Sequence, residues 1–155
     1  MGLFDAIDVT GSALSAERLR MDVTAENLAN AQTTKGANGQ PYRRKEVVLQ
    51  EAGGAGSVGR SGASFGSALN VAMGNASSPA RGVQVAGIVE DASPLKRVYD
   101  PGHPDADANG YVTMPNVNTV TEMTDLITSS RAYEANATAM QTAKQMFTKT
   151  LDILR

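Results

Sequence analysis

The chain is predicted to be mainly α-helical with a small β insert. Long N- and C-terminal helices form a coiled coil, with short antiparallel strands and a Gly-rich loop between them. Three observations predict this. Ile7, Gly11, Leu14, Arg18, Met21, Ala25 and Leu28 recur at spacings of four and three. Leu126, Ser130, Tyr133, Ala137, Met140, Lys144, Phe147, Leu151 and Leu154 do the same near the other end. The residues between are poor in large apolar side chains; the chain is 5% aromatic and has no Trp. A four-three repeat keeps one stripe of a helix facing one partner. One register is large (Ile7, Leu14, Met21, Leu28; Leu126, Tyr133, Met140, Phe147, Leu154). The alternate register is small or long-polar, Leu151 excepted. Two such seams can interdigitate. The partner of each end is either the other end or another copy of the chain.

Each element has its own signal. Residues 3–31 read as a helix about 45 Å long at 1.5 Å per residue. Asn27, Asn30, Thr33, Thr34 and Gly36 then weaken helix propensity and end it. Lys35 to Pro41 is a turn region, and Tyr42 to Gln50 is strand-like, with Val47 and Val48 β-branched. Residues 52–80 are dominated by Gly, Ala and Ser, with scattered Val58, Phe65, Leu69, Val71 and Met73. A long loop that orders only against a neighbour is expected there. Val83, Val85, Gly87 and Val89 alternate with Gln84, Ala86, Ile88 and Glu90, a strand signal broken by Pro94. Leu95 to Tyr99 and Tyr111 to Met114 are two further strands, the latter after the Asn109-Gly110 turn. Thr119 and Glu122 form a capping-box pattern just past Pro115, so the last helix is expected from about Val120 to Leu154. The organisation is thus 1–34 as N-terminal helix, 35–116 as β-rich insert and 117–155 as C-terminal helix. An elongated subunit that gains burial by assembly is the expected form. A small globular domain with two long helices is the competing one.

The formal net charge of −2 gives no basic field for nucleic acid or anionic lipid. Arg43-Arg44-Lys45 is followed at once by Glu46 and reads as a solvated strand face. The chain has no Cys, which excludes disulfides and thiol chemistry. No apolar run approaches the roughly 20 residues of a membrane-spanning helix, and the N-terminus lacks the pattern of a cleavable signal.

The candidate chemistry is thin. Gly54-Ala55-Gly56-Ser57-Val58-Gly59 matches GxGxxG, but the glycine-rich run continues and no acidic residue lies about 20 positions on, so no dinucleotide is expected. Asp105-Ala106-Asp107-Ala108-Asn109-Gly110 imitates half of a calcium loop. Its twelfth position is Asn116 and prolines flank it, so a turn held by Asx hydrogen bonds is expected instead. His103, the single histidine, lies near Asp100, Asp105 and Asp107. Nothing else supplies a nucleophile or oxyanion donors, so a turn histidine bonded to its neighbours is expected, with a metal-dependent hydrolase as the alternative. No catalytic residue, cofactor or metal is assigned.

Several segments resemble a known family. Ala25-Glu26-Asn27-Leu28-Ala29-Asn30-Ala31-Gln32-Thr33-Thr34 resembles the Asn-Leu/Ile-Ala-Asn motif that closes the N-terminal helix of flagellar axial proteins of the rod and hook. Pro41 to Val47, Val98 to Ala106 with Asn109 to Val112, and Pro115 to Ile127 with Arg131 to Asn136 are similar to the C-type proximal-rod branch. Gln32 stands where many relatives have Asn, and Lys35-Gly36 replaces a common Gly-Phe. The resemblance implies a structural subunit of the basal-body proximal rod, in the periplasm, exported by the flagellar export apparatus without a cleaved signal. It implies copies of the chain, other rod proteins and the base complex of the basal body as partners. It implies a coiled coil of the two termini, with motif residues Asn27, Leu28, Ala29 and Asn30 closing the first helix. Another axial rod or hook subunit is the nearest alternative, and a cytoplasmic coiled-coil adaptor a further one.

Overall fold

The computed structural model describes residues 3–36, 39–52 and 82–153. The Gly-rich stretch, its Gly54–Gly59 run and seam residue Leu154 lie outside the described residues. The described elements are α1 (Leu3–Ala29), β1 (Lys45–Glu51), β2 (Val83–Glu90), β3 (Lys96–Tyr99), β4 (Tyr111–Met114) and α2 (Thr119–Ile153). β1 pairs with β2 and β3 with β4 in two separate two-stranded sheets. No described helix is long and apolar enough to cross a membrane.

Several boundaries differ from the sequence reading by one to three residues, and three of the differences have a visible reason. α1 ends at Ala29 rather than residue 31. There the Asn30 backbone N–H and side-chain amide both donate to Glu26 O, at 3.0 and 2.9 Å, and Thr33 N–H donates to Asn30 O at 3.0 Å. Tyr42 to Arg44 are not strand. Tyr42 N–H donates to Thr33 O, and Arg44 N–H to the Asn116 side-chain oxygen, so neither enters the ladder. The cap of α2 is Asn118, not Thr119. Asn118 Oδ1 accepts from Val120 N–H at 3.1 Å, and its carbonyl accepts from Glu122 N–H at 3.0 Å. Glu122 is therefore not the reciprocal half of a capping box. Its side chain turns inward.

The chain divides into two compact units. The first comprises Met1–Ala16, Leu49–Val85 and Glu134–Arg155. Within it Ser12 Oγ donates to Val9 O at 2.7 Å and accepts from Val83 N–H at 3.0 Å, fixing the start of β2 against α1. Gly82 is required by that approach, because a Cβ there would overlap Ser12 Oγ. A Cβ on Gly11 would only reach ordinary contact, 3.7 Å from the Met140 methyl.

The second unit comprises Glu17–Val48 and Ala86–Tyr133. β3 and β4 are antiparallel, with Val98 opposite Val112 and Tyr99 opposite Tyr111. Alternation sends Val112 inward, where it is buried with Pro115 and Val117. The Tyr99 and Tyr111 rings meet edge to face at 5.3 Å on the other side. Gly110 closes this hairpin at φ +76°, and an added Cβ would lie 2.9 Å from the Tyr99 ring.

Candidate functional site

The most deeply buried side chains of the second unit are largely polar. Asn27 and Glu122 are each 1% exposed, beside Thr24 and Ser129. Asn27 sits in the last full turn of α1, and its amide imitates a peptide group. Its Oδ1 accepts from Lys45 N–H at 2.9 Å, and its Nδ2 donates to Lys45 O at 2.8 Å. The strand's first residue is thus paired to a side chain as it would be to a neighbouring strand. The same Oδ1 accepts from Tyr42 OH at 2.9 Å, and the same Nδ2 donates to Glu122 Oε2 at 3.1 Å. These four bonds use the two donors and two acceptor sites of the amide.

Glu122 is held from its other oxygen by Arg44, whose Nε donates to Oε1 at 2.6 Å. Arg44 also reaches Asp125 at 3.6 Å and Glu46 at 3.7 Å. The Glu122 hydrogen bond raises the Arg44 pKa further above its ordinary value, against an opposing effect of burial. Burial, then Glu26, Glu122 and Glu90, push the Tyr42 hydroxyl up to about 12, which extends its range as a donor above pH 10. Arg43 and Asn116 donate to Asp91 O, and Asp91 N–H donates to Arg44 O, which ties the far end of β2 to the same segment.

A second clasp lies on the acidic turn. Asp105 accepts from Thr34 Oγ1 at 2.8 Å and from the Lys35 ammonium. The Lys35 hydrogen bond, then that of Thr34, holds its carboxyl below the ordinary value. His103 Nδ1 accepts from Asp105 N–H at 3.1 Å, the turn role expected from its neighbours. Among the described residues no three His, Asp or Glu side chains gather where they could hold a metal.

The seam residues occupy two kinds of position. On α1, Ile7, Leu14, Met21 and Leu28 are half-buried, whereas the deepest residues are Ala16, Val23, Thr24 and Asn27. About 200° of helical rotation separates Leu14 from Ala16, and Met21 from Val23. The apolar stripe and the most buried face of α1 are therefore different faces. On α2, Leu126, Ala137, Met140 and Phe147 are half-buried, while Tyr133 is 37% and Leu151 51% exposed. Of the motif, Asn27 is buried, Leu28 and Asn30 half-buried and Ala29 exposed.

Sequence reasoning missed Glu122 and Arg44 as partners, and missed that Val120, Met123 and Ile127 form an outward apolar face. These last three are 71%, 52% and 54% exposed and share one face of α2 at spacings of three and four. Tyr99, 64% exposed, and Tyr111, 41% exposed, form another outward apolar surface, with the Arg97 guanidinium 5.2 Å from the Tyr111 ring centre.

Comparison with known proteins bears on what such surfaces serve. Residues 7–37 match a family model described as flagella basal body rod protein, and residues 108–153 match one described as flagellar basal body rod FlgEFG protein C-terminal. The chain is similar to the flagellar basal-body rod protein FlgC of Bacillus subtilis, 48% identical over 99% of both chains. It is 43% identical to the FlgC of Salmonella typhimurium over 99% of this chain and 98% of that one. It is 43% identical to the FlgC of Borreliella burgdorferi over 100% of this chain and 99% of that one. The chain belongs to the flagellar basal-body rod protein family.

Proposed function

We propose that the chain is a structural subunit of the flagellar basal-body proximal rod, assembling helically with other rod proteins to transmit torque across the periplasm. The observation that carries this is its end-to-end similarity to rod proteins, at 48% identity in the first of them. The geometry supports it. The second unit closes on a small, polar centre and leaves Val120, Met123, Ile127, Tyr99 and Tyr111 uncovered. Exposed apolar faces of this kind mark contact surfaces.

In this reading the terminal helices pair as a coiled coil in the rod, and the seam residues of α1 and α2 meet copies of the chain or other rod proteins. A heterologous contact that does not close generates a helical tube. Close-packed helices are poorly compressible, so torque passes along them without slip. The base complex of the basal body is a neighbour, and the flagellar export apparatus delivers the chain without a cleaved signal. The role is mechanical, with no catalysis. The test is replacement of the resident rod gene by this one in a cell lacking it. Recovery of swimming, with the chain present in purified basal bodies, is expected. A chain that is made and exported yet absent from basal bodies would contradict the proposal.

A further inference from the structure

We propose that Asn27, Arg44 and Glu122 act as a register key, admitting one alignment of the end of α1, the 42–45 segment and the start of α2. Other side chains buried on these helix segments are small: Val23, Thr24 and Ser129. Small side chains interlock weakly, so shape alone separates alternative alignments poorly. A four-three stripe is also satisfied again after a slip of seven residues. The polar junction is not. A slip would leave the Glu122 carboxylate, 1% exposed, without the Arg44 and Asn27 donors that now hold both its oxygens. A buried charge without a partner is strongly disfavoured.

Asn27 makes the key directional. Its two donated bonds go to acceptors, Lys45 O and Glu122 Oε2, and its two accepted bonds come from donors, Lys45 N–H and Tyr42 OH. Aspartate has the same shape but no donor, and would set a second carboxylate against Glu122. The position therefore demands the amide and not merely its volume. A single buried Asn fixes register in other helix pairs by the same physics. Asn27 is a positioning residue for the strand and for α2, whereas the Asn30 side chain, three residues on, bonds locally to Glu26 O and Thr33 Oγ1.

The chain has no Cys, so Asp22→Cys with Thr128→Cys gives a clean pair of spin labels. Both positions are exposed and lie in one unit. Double electron–electron resonance on the full chain reads the distance between them. A single narrow distance is expected with the native junction. Asn27→Asp is expected to add a second population, displaced along the helix by about 10 Å, the rise of seven residues. Arg44→Met with Glu122→Leu removes both charges at similar volume. It is expected to keep parental helix content by circular dichroism and still show two populations. The single native distance in that folded double variant would overturn the proposal. So would unfolding of both variants, because the junction would then supply stability and not alignment.

Discussion

At the scale of single residues, the buried junction ties stability to charge pairing. Arg44→Met alone leaves the Glu122 carboxylate buried without its cation and is expected to destabilise the fold by about 3–5 kcal/mol. Glu122→Leu added to it should restore most of that loss, which chemical denaturation of the four members of the cycle would measure. Tyr42 makes a separate prediction with pH. Its hydroxyl rises from an ordinary 10.0 to about 12 in the fold. The contribution is present below pH 10, where both states are protonated. It is lost as pH climbs toward 12, because the unfolded chain ionises first. Tyr42→Phe should remove that part of the alkaline fall in denaturation midpoint. Asp105 behaves in the opposite sense. Its carboxyl is held below its ordinary 3.8 by Lys35 and Thr34, so its contribution is present above that value and lost as pH falls through its lower folded value. Asp105→Asn should flatten the acid limb. Asn27 was legible in the sequence as part of a motif, but its four partners were not, because they come from residues 15 to 95 positions away. Glu122 was read as a capping residue. The signal available was its place four residues before Leu126, a charge in line with the apolar stripe of α2.

At the scale of elements, periodicity and turn residues located both helices and all four described strands, since those signals are local. The ends moved where tertiary bonds competed with local preference. Tyr42 to Arg44 carry strand-like residues, yet Thr33 and Asn116 take their amide groups. Asn118→Ala should destabilise α2 by about 1 kcal/mol through loss of the cap, and Thr119→Ala should change stability by less than about half that. Thermal unfolding of the two variants compares them directly. The contact between β2 and α1 is less forgiving. Gly82→Ala places a methyl on Ser12 and is expected to destabilise the first unit by about 1–3 kcal/mol, whereas Gly11→Ala meets only ordinary contact. Amide exchange at Val83, whose N–H is bonded to Ser12, would register the difference.

At the scale of the whole molecule, composition already pointed to a chain with few large side chains to bury, with only 5% of its residues aromatic. What it did not reveal was which apolar side chains stay outside. Val120 and Ile127 fall off the four-three stripe, and Met123 continues it only one step before its first large member, Leu126. They stand out only once Glu122 and Ser129 are seen to occupy the inward face of α2. On the proposed reading, the polar junction serves the chain's own fold and the apolar faces serve its neighbours. Ile127→Asp should therefore leave the midpoint of unfolding within about 0.5 kcal/mol of the parent, as an exposed change does, and prevent incorporation into the rod. The most direct measurement uses the absence of cysteine. Met123→Cys, at a position 52% exposed in the single chain, can be labelled with a maleimide in the purified subunit and in isolated basal bodies. Rapid labelling of the free subunit and at least tenfold slower labelling in the assembled rod is the expected result, with a control cysteine at exposed Asp107 reporting general access. Equal labelling of Cys at position 123 in both forms would show that this face meets no neighbour, and would contradict assembly through it.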